Sequence, residues 1–330
     1  MVQVLVTGGS GFNGVNLVRA LIARGYKVRV LARERSNQAA LGKLDCEFIK
    51  GNILDFDSVN RAVKNCELVF HLAALVAYWK AHRSDVYKIN VEGTRNVMEA
   101  CLQEGVSRVV HTSSVSAIGI PKFGSIADEK TAFDERSREV AYSDSKRIAE
   151  IVVQNAIGRG LNAVIVNPAQ IIGAGDHGMY MGSVVESFRQ GKVRAVPVGG
   201  MCVVDVDAVV LGQIAAAEKG RTGERYILGG ENLSYAEIAE VLADITGRKP
   251  PRRILPSFIL GPAAYAVDFY NLFNRKITTI CGEHVRLGAA KLYYDSAKAI
   301  AEFGYPLMPF REAMMKGYEW YLENGLMEKY

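Results

Sequence analysis

The chain has 330 residues, of which 49% are hydrophobic and 23% charged, a composition that excludes disordered, collagen-like and fibrous proteins. Because a single hydrophobic core stops growing near roughly 250 to 300 residues, the length predicts one large domain with a smaller lobe. Forty basic and thirty-five acidic residues leave a formal net charge of +5 without a long basic block. The sequence therefore predicts no nucleic-acid partner.

The spacing of the cysteines and the apolar segments indicate the cellular compartment that we expect for the protein. The five cysteines form no C-x-x-C pair and have no histidine at metal-ligand spacing, which predicts reduced thiols and no metal site. The N-terminal MVQVLVTGG lacks the features of an export signal, so we expect a cytoplasmic protein. Residues 254–273 approach the length of a bilayer span, but Pro256, Gly261, Pro262 and Asp268 interrupt them. We expect no stable membrane insertion here; a buried helix is favoured over a segment lying in a membrane surface.

The first half of the chain alternates short β-branched apolar runs with stretches of helical period. The predicted strands are 2–7, 28–32, 46–50, 68–73, 108–113 and 163–167, and the predicted helices are 13–24, 57–65, 91–104 and 142–157. Continuous runs of Val, Ile and Leu are typical of strands buried on both faces, with helices as crossovers. The pattern predicts an α/β fold with a doubly wound parallel sheet of the Rossmann type.

After Pro168 the alternation of predicted strands and helices becomes less regular. A Gly-rich loop at 173–182, short strands at 193–198 and 225–228, and a helix at 234–246 with the Ser234 and Glu237 capping box are predicted there. A long unpaired loop is expected at 119–140. We expect a Rossmann domain at 1–168, to which segments such as 203–222 return. Residues 169–330 would form mainly a smaller α+β substrate lobe over the carboxyl edge of the sheet.

A glycine-rich loop follows the first predicted strand. Residues 7–14 read TGGSGFNG and precede an amphipathic helix. Glycines at these positions allow a tight turn and close backbone approach, so that a pyrophosphate can lie on the helix N-terminus. The strand–loop–helix context makes a dinucleotide the predicted ligand, whereas the phosphate-loop signature of NTPases is missing.

The residue that ends the second strand selects the dinucleotide. That position is Ala32, and Arg33 and Arg35 follow it. An arginine there can bind a 2′-phosphate, whereas an acidic residue would accept hydrogen bonds from a free ribose hydroxyl. The arrangement favours NADP(H), but Glu34 lies near the offset of an acidic ribose ligand, so NAD(H) stays possible.

Tyr142 and Lys146 lie four residues apart at the start of a predicted helix. That spacing places both on one helical face, where an ammonium can stabilise a phenolate and lower the pKa of the tyrosine. The strand at 108–113 ends in Thr112, Ser113 and Ser114, which emerge at the carboxyl edge beside this helix. His71 and His111 lie in or beside buried strands and are expected to be satisfied core histidines.

These motifs together resemble the extended short-chain dehydrogenase/reductases, the NAD-dependent epimerase/dehydratase group. The residues that carry the resemblance are TGGSGFNG at 7–14, HLAA at 71–74, NVEGT at 90–94, TSS at 112–114, YSDSK at 142–146, NP at 167–168 and GAGD at 173–176. VRVLAR and GERYILGGENLSY are most similar to dihydroflavonol-reductase-like and hopanoid-associated sugar-epimerase-like members. The resemblance covers nearly the whole chain and implies an enzyme.

The resemblance implies roles for individual residues. Tyr142 would be the acid/base, Lys146 would hydrogen-bond the nicotinamide ribose and lower the pKa of Tyr142, and Ser114 would bind the reacting oxygen. Gly8, Gly11, Phe12, Asn13 and Gly14 would hold the pyrophosphate, Asn52 and Ile53 would flank the adenine, Leu72, Ala73 and Ala74 would line the ribose path, Pro168 would line the nicotinamide, and Asn90 and Thr112 complete the cofactor-binding set.

Two departures from the family patterns bear on the reaction. Val115 and Ser116 stand where family dehydratases carry an Asp-Glu pair, which disfavours dehydration. Met201 and Cys202 stand where many nucleotide-sugar epimerases carry an Arg-Asp pair. Because hydrogen bonds to ions contribute roughly 1.5 to 3 kcal/mol each, losing such a clamp shifts the expected substrate away from a nucleotide sugar, unless Arg252 or Arg253 substitutes.

We therefore expect an NADP(H)-dependent oxidoreductase that interconverts a carbonyl and an alcohol on a small, partly apolar substrate. The alternatives are a sugar epimerase that oxidises its substrate transiently and a dinucleotide-sensing protein without activity. Tyr78, Trp79 and Tyr180 are candidate substrate contacts, although Tyr78 and Trp79 could equally pack against a loop. By resemblance we also expect a homodimer, with a helical seam for which Ala149, Val152 and Val153 are small enough.

Overall fold

The computed structural model describes residues 2–34, 41–42, 44–79, 82–122, 124–273 and 281–328. Its strands are β1 (Gln3–Thr7), β2 (Lys27–Ala32), β3 (Glu47–Lys50), β4 (Leu68–His71), β5 (Arg108–Thr112), β6 (Ala163–Pro168), β7 (Gln170–Ile172), β8 (Ala195–Pro197), β9 (Gly200–Asp205), β10 (Arg225–Leu228), β11 (Glu231–Ser234), β12 (Arg253–Leu255) and β13 (Lys291–Leu292). Its α-helices are α1 (Phe12–Ala23), α2 (Phe56–Val63), α3 (Arg83–Tyr87), α4 (Gly93–Gln103), α5 (Glu135–Glu139), α6 (Ala141–Gly158), α7 (Gly182–Arg189), α8 (Val206–Lys219), α9 (Tyr235–Ile245), α10 (Ser257–Phe273), α11 (Gly282–Leu287), α12 (Ala297–Phe303) and α13 (Phe310–Glu323).

Seven parallel strands form the central sheet, in the order β10-β6-β5-β4-β1-β2-β3. The strand order reverses between β1 and β4, where Thr7 lies opposite His71. Open α/β sheets bind ligands at such a switch point, outside the carboxyl ends of the strands. The predicted doubly wound Rossmann fold is confirmed.

Alternate residues of each central strand pack into different core clusters, one on each face of the sheet. Val4 and Val6 of β1 belong to one core cluster, whereas Leu5 between them belongs to the other. Val110 and Val109 of β5 divide in the same way. Successive side chains of a strand point to opposite faces, so these unbroken apolar runs bury both sides under helices.

The rest of the chain builds smaller sheets beside the carboxyl edge. β9 pairs with β7, β11 and β13, and β12 pairs with β8. A third core cluster, which includes Ile172, Leu242 and Tyr321, packs between these strands and their helices. α8 and β10 lie back on the large sheet, because Val209 of α8 packs in the first core cluster and β10 pairs with β6.

Three predicted segments differ from the structure. The loop predicted at 119–140 contains α5, and Ala127 forms a bridge with Tyr294. The helix predicted at 91–104 begins earlier, with a π-helical turn over Lys88–Glu92. The helix predicted at 254–273 as buried is α10, which buries only one side: Leu260 is 3% exposed, whereas Phe258 is 76% exposed. Within the described ranges, no helix is long and apolar enough to cross a membrane.

The three small residues named for a homodimer seam are buried within the chain itself. Ala149 and Val153 are fully buried and Val152 is 8% exposed. Val152 and Val153 pack into this chain's own second core cluster, with residues of the central sheet. These positions contribute to the core of one chain, and the homodimer stays a prediction.

Candidate active site

The glycine-rich loop between β1 and α1 has a backbone that only glycine can follow. Gly8 has a φ of 75°, and a Cβ on it would lie 2.6 Å from the backbone nitrogen of Ala73. A Cβ on Gly14 would lie 2.1 Å from the carbonyl oxygen of Gly8. The Gly11 N–H donates to that same carbonyl over 3.0 Å, and α1 then begins with Phe12 and Asn13. The loop thus leaves the helix N-terminus open to a pyrophosphate, and these residues fit a dinucleotide.

A cavity of about 650 Å³ lies at the carboxyl ends of β2 and β3, where the adenosine end of a dinucleotide would lie. The residues that line it are Arg33, Glu34, Lys50, Gly51, Asn52, Asp55, Ser58 and Arg61. The Glu34 carboxylate pairs with the Lys50 ammonium at 2.7 Å. Arg35 falls outside the described residues. The cavity therefore presents three cationic side chains, Arg33, Lys50 and Arg61, beside two carboxylates, of which Glu34 pairs with Lys50.

The floor of this cavity is held by local hydrogen bonds. The Ser58 hydroxyl accepts from the Asn52 N–H at 3.0 Å and donates to the Asn52 carbonyl. Ile53 is 8% exposed, and a Cβ on Gly93 would lie 2.4 Å from its Cδ1. Asn52 and Ile53, both predicted from the sequence, thus lie together at the adenosine end.

A buried histidine joins the two strands of the switch point. The Thr7 hydroxyl lies 2.7 Å from Nδ1 of His71 and accepts from the Ala73 N–H, while Nε2 of His71 lies 3.0 Å from the Thr94 hydroxyl. Thr94 donates its hydroxyl hydrogen to the Asn90 carbonyl, so it must accept from His71. His71 is therefore neutral, with its proton on Nε2, and burial together with Lys146 lowers its pKa to about 3.

The same network continues into the helix of the predicted catalytic residues. The Asn90 amide donates to the Ser145 hydroxyl at 3.0 Å, and Ser145 donates to the Tyr142 carbonyl at 2.7 Å. Asn90 also exchanges two hydrogen bonds with the backbone of Leu75. Asn90 therefore fixes the segment after β4, which includes Leu72, Ala73 and Ala74, relative to α6.

Tyr142, Lys146 and Ser114 come together at the carboxyl edge of β5. Tyr142 is 7% exposed and Lys146 is 3% exposed, one helical turn apart on α6. Ser114 lies close enough to the Tyr142 phenol to act on its pKa, and the Ser114 hydroxyl accepts from the Ser116 N–H at 3.1 Å. The Lys146 ammonium donates to the carbonyl of Thr112 at 2.8 Å. Geometry brings together the three residues that the sequence predicted.

The electrostatics of Tyr142 differ from the expectation that Lys146 lowers its pKa. Burial raises the pKa of Tyr142, the nearby Tyr78 phenol raises it further, and the hydrogen bond with Ser114 opposes both only in part. The Lys146 ammonium points instead to the Thr112 carbonyl. Burial also lowers the pKa of Lys146 to about 8, although Glu150 acts to raise it. At neutral pH the phenol is therefore protonated and can donate.

Glu150 is a buried acid that the sequence analysis missed. It is 2% exposed and pairs with Arg225 at 3.1 Å and Arg147 at 3.3 Å. The Asn167 amide donates both to Glu150 at 2.6 Å and to the carbonyl of Ser114 at 2.9 Å. The spacing could have revealed it, because Glu150 lies four residues after Lys146 on the same helical face.

Tyr78 forms a wall of the cleft beside Tyr142. Its ring centroid lies 5.3 Å from that of Tyr142 and 4.4 Å from that of His284, at the start of α11. Trp79 is half-buried next to it, whereas Tyr180 is 65% exposed on the loop before α7. His284 was not predicted, since it lies outside every motif of the sequence. The wall is aromatic, and the buried Pro168 ends β6 at the same edge.

Thr112 and His111, the remaining predicted residues of β5, differ in their hydrogen bonding. The Thr112 hydroxyl accepts from Gln213 of α8 at 2.9 Å. His111 was expected to be a satisfied core histidine, but both of its ring nitrogens are buried without a hydrogen-bond partner among the described residues. Its ring lies 5.3 Å from that of His71, and burial together with Lys146 lowers its pKa well below the usual value. His111 is thus held neutral by burial.

Comparison with known proteins agrees with this geometry. The family model described as NAD dependent epimerase/dehydratase family matches residues 4–229. The chain is 33% identical over 328 residues to a provisionally named dihydroflavonol 4-reductase of Synechocystis sp., covering 98% of this chain and 95% of that protein. It is 34% identical to sterol demethylase protein B of Methylococcus capsulatus over 98% and 99% of the two chains.

A solved structure is similar over nearly the whole chain. The crystal structure of gox2253 superposes with a TM-score of 0.87 at 33% identity, covering 99% of this chain and 100% of that one. Two thirds of the chain match the family model, and two relatives above 30% identity span nearly all of it. The chain belongs to the NAD-dependent epimerase/dehydratase family of extended short-chain dehydrogenase/reductases, and it is an enzyme of the nicotinamide-dependent class.

Proposed function

We propose that the protein is an NADP(H)-dependent oxidoreductase that interconverts a carbonyl and an alcohol on a small, partly apolar substrate. The observation that carries the proposal is the meeting of Tyr142, Ser114 and Lys146 beside the glycine-rich loop, under the aromatic wall of Tyr78. Bound NADP(H) would supply or accept the hydride. The chain's own residues would orient the substrate and move the proton.

The proton chemistry follows from the state of each side chain. The Tyr142 phenol is protonated at neutral pH because burial raises its pKa, so it can donate to a carbonyl oxygen during reduction. Ser114 lies within hydrogen-bonding reach of that phenol and would hold the same oxygen. Lys146 can turn from the Thr112 carbonyl to a ribose hydroxyl, because its ammonium is held there by one hydrogen bond. In the reverse direction Tyr142 would first have to lose its proton to solvent, and its phenolate would then accept the proton of the alcohol.

Several features support an apolar substrate. Val115, which is 9% exposed, and Ser116 occupy the positions of the acid pair of dehydratases, so no carboxylate follows Ser114 to expel water. The cleft wall at Tyr78 and His284 is aromatic, and burial lowers the pKa of His284, so that ring is neutral. The names of two relatives, a dihydroflavonol reductase and a sterol demethylase component, also point to ring-containing apolar compounds.

The Tyr142→Phe variant tests the proton role. We expect turnover with a panel of carbonyl compounds to fall by about a hundredfold or more, because general acid catalysis contributes that much, while cofactor binding stays close to that of the unmodified protein. Turnover equal to that of the unmodified protein would refute the assignment. Protein that purifies with oxidised cofactor and consumes no NADPH with any carbonyl would instead favour epimerisation.

The choice of NADP(H) rests on the cavity at the end of β2. Arg33, Lys50 and Arg61 line it, and the Glu34 carboxylate is paired with Lys50 rather than presented to a ribose. Fluorescence titration should give tighter binding of NADPH than of NADH. In Arg33→Ser we expect NADPH affinity to fall by about tenfold, because a charge-assisted hydrogen bond contributes that much, with NADH affinity unchanged. Tighter binding of NADH by the unmodified protein would overturn the assignment.

A further inference from the structure

α10 carries a large exposed apolar surface. Phe258 is 76% exposed, Tyr265 is 75% and Tyr270 is 66%. Ile259 at 41% and Phe269 at 65% lie on the same exposed side, and these five residues are called the α10 face below. Isolated exposed apolar residues are ordinary, but a contiguous aromatic patch on one helix marks an interaction surface. The opposite side of α10 is anchored in the protein, since Leu260 is 3% exposed and Ala264 is fully buried.

The α10 face carries no charge. Asp268 is the only charged residue of the helix, and it is turned away from solvent toward α11. Its carboxylate accepts from the Gly282 N–H at 2.8 Å and pairs with Arg286 at 3.3 Å. The one charged group of α10 is thus paired within the protein, and the α10 face offers aromatic and aliphatic side chains.

A basic segment lies directly before this helix. Residues 247–256 read GRKPPRRILP and contain four cations without an acidic residue. Lys249, Arg252 and Arg253 are exposed. β12, which begins at Arg253, pairs with β8 at Ala195, so the exposed Arg194 lies beside this segment. A band of positive charge therefore borders the apolar face.

We propose that the α10 face docks on the surface of a bilayer that contains anionic lipid. Aromatic side chains with a basic border are the composition of helices that lie in the membrane interface: the rings enter the headgroup region while Arg and Lys contact lipid phosphates. A second copy of the chain fits less well. A two-fold contact uses the same patch on both copies, and residues 247–256 with the α10 face contain no acidic group that could pair with the basic segment of the other copy.

The docked α10 face would also lie near the cleft, so docking would serve substrate access. This role rests on the proposed apolar substrate. α11, which holds Asp268 of α10 through Arg286, places His284 against Tyr78 at 4.4 Å. Tyr78 in turn contacts Tyr142. A membrane-dissolved alcohol or carbonyl compound would therefore reach the cleft from the side on which the bilayer lies.

Vesicle flotation tests the docking with the full-length protein. Vesicles of phosphatidylcholine and phosphatidylglycerol in equal parts are compared with vesicles of phosphatidylcholine alone. We expect binding to the anionic vesicles that weakens with added salt. The Phe258→Ser/Tyr265→Ser variant should bind the anionic vesicles with an affinity lower by about tenfold or more. The reason is that two exposed rings no longer enter the membrane interface. The matched control is Ile126→Ser/Leu307→Ser, which removes two apolar side chains that are each 58% exposed elsewhere.

The electrostatic part is tested separately. Arg252→Glu/Arg253→Glu should abolish the preference for anionic vesicles, whereas Lys64→Glu/Lys122→Glu, which changes the net charge equally at exposed sites, should retain it. Brominated lipids should quench the added fluorescence of Phe258→Trp but not that of Leu307→Trp. All substituted side chains are exposed, so the variants should keep the circular dichroism spectrum and Tm of the unmodified protein.

Three results would overturn the proposal: no binding of the unmodified protein to anionic vesicles, equal binding by the Phe258→Ser/Tyr265→Ser variant, or dissociation of an oligomer by that variant in sedimentation. The last result would assign the α10 face to a second copy. Flotation requires no turnover, so it can be read even if the Tyr142 assignment fails. Conversely, reduction of a water-soluble carbonyl compound should be unchanged in the α10 variants, so failure of docking leaves the proposed reaction intact.

Discussion

Replacement of Lys146 by Met should make the protein more stable while it removes activity. Lys146 is 3% exposed, and burial lowers its pKa from 10.5 to about 8. At pH 7 the folded protein therefore holds the ammonium at a cost of about 3 kcal/mol relative to the unfolded chain. Loss of the hydrogen bond to the Thr112 carbonyl offsets about 1 kcal/mol. Met has a similar shape, so we expect a net gain of about 2 kcal/mol, or roughly 3 °C in Tm.

Thermal unfolding as a function of pH gives the decisive measurement. The folded-state pKa of Lys146 is lower than its ordinary value, so the unfolded chain binds more protons between pH 8 and 10.5, and the unmodified protein gains stability as pH rises through that window. The advantage of Lys146→Met should be full below about pH 8 and gone near pH 10.5. Lys64→Met, at an exposed site, should leave Tm unchanged. The reasoning would be refuted if Lys146→Met had a lower Tm than the unmodified protein at pH 7. It would also be refuted if the difference in Tm between the two proteins did not decrease as the pH rises.

Two further substitutions probe the site. Gly14→Ala should abolish cofactor binding, because its Cβ would lie 2.1 Å from the Gly8 carbonyl oxygen, whereas Gly158→Ala, where nothing lies within 4 Å, should bind cofactor normally by fluorescence titration. Glu150→Gln should lower the free energy of unfolding by about 3 kcal/mol, since it leaves Arg225 without its buried partner. Removal of this carboxylate should also lower the pKa of Lys146, so the alkaline limb of the kcat/KM profile should move to lower pH. If the limb does not move, Glu150 contributes to the packing of the fold and not to the charge state of Lys146.

The sequence predicted the central sheet because its physical determinants are local. Unbroken β-branched runs at β1, β5 and β6 are buried on both faces, and the glycines at 8 and 14 are required by a positive φ and by a close backbone contact. The capping box at Ser234 is likewise a local feature, and the structure contains both of its hydrogen bonds. Patterns of this kind identify an element and its ends without knowledge of its neighbours.

What the sequence did not predict depends on contacts between distant segments. The exposed side of α10 could not be recognised, because an apolar helix in sequence does not show which of its sides finds a partner. The inward direction of Val152 and Val153 follows from how α6 lies on the sheet. His284 reaches Tyr78 only because α11 packs beside the cleft. Each of these is set by tertiary packing rather than by spacing along the chain.

The hydrogen-bond network through His71 explains why separate motifs occur together in this chain. Thr7 at the end of β1, His71 at the end of β4 and Thr94 in α4 form one continuous path, which Asn90 and Ser145 extend to the backbone of Tyr142. Every group on this path is buried or part-buried, so removing one would leave its neighbour unpaired at a cost of about 1 to 3 kcal/mol. The strand that begins the cofactor loop and the helix that carries the acid/base are therefore positioned by the same buried groups. A shift at one end would displace the other, which couples the cofactor site to the placement of Tyr142.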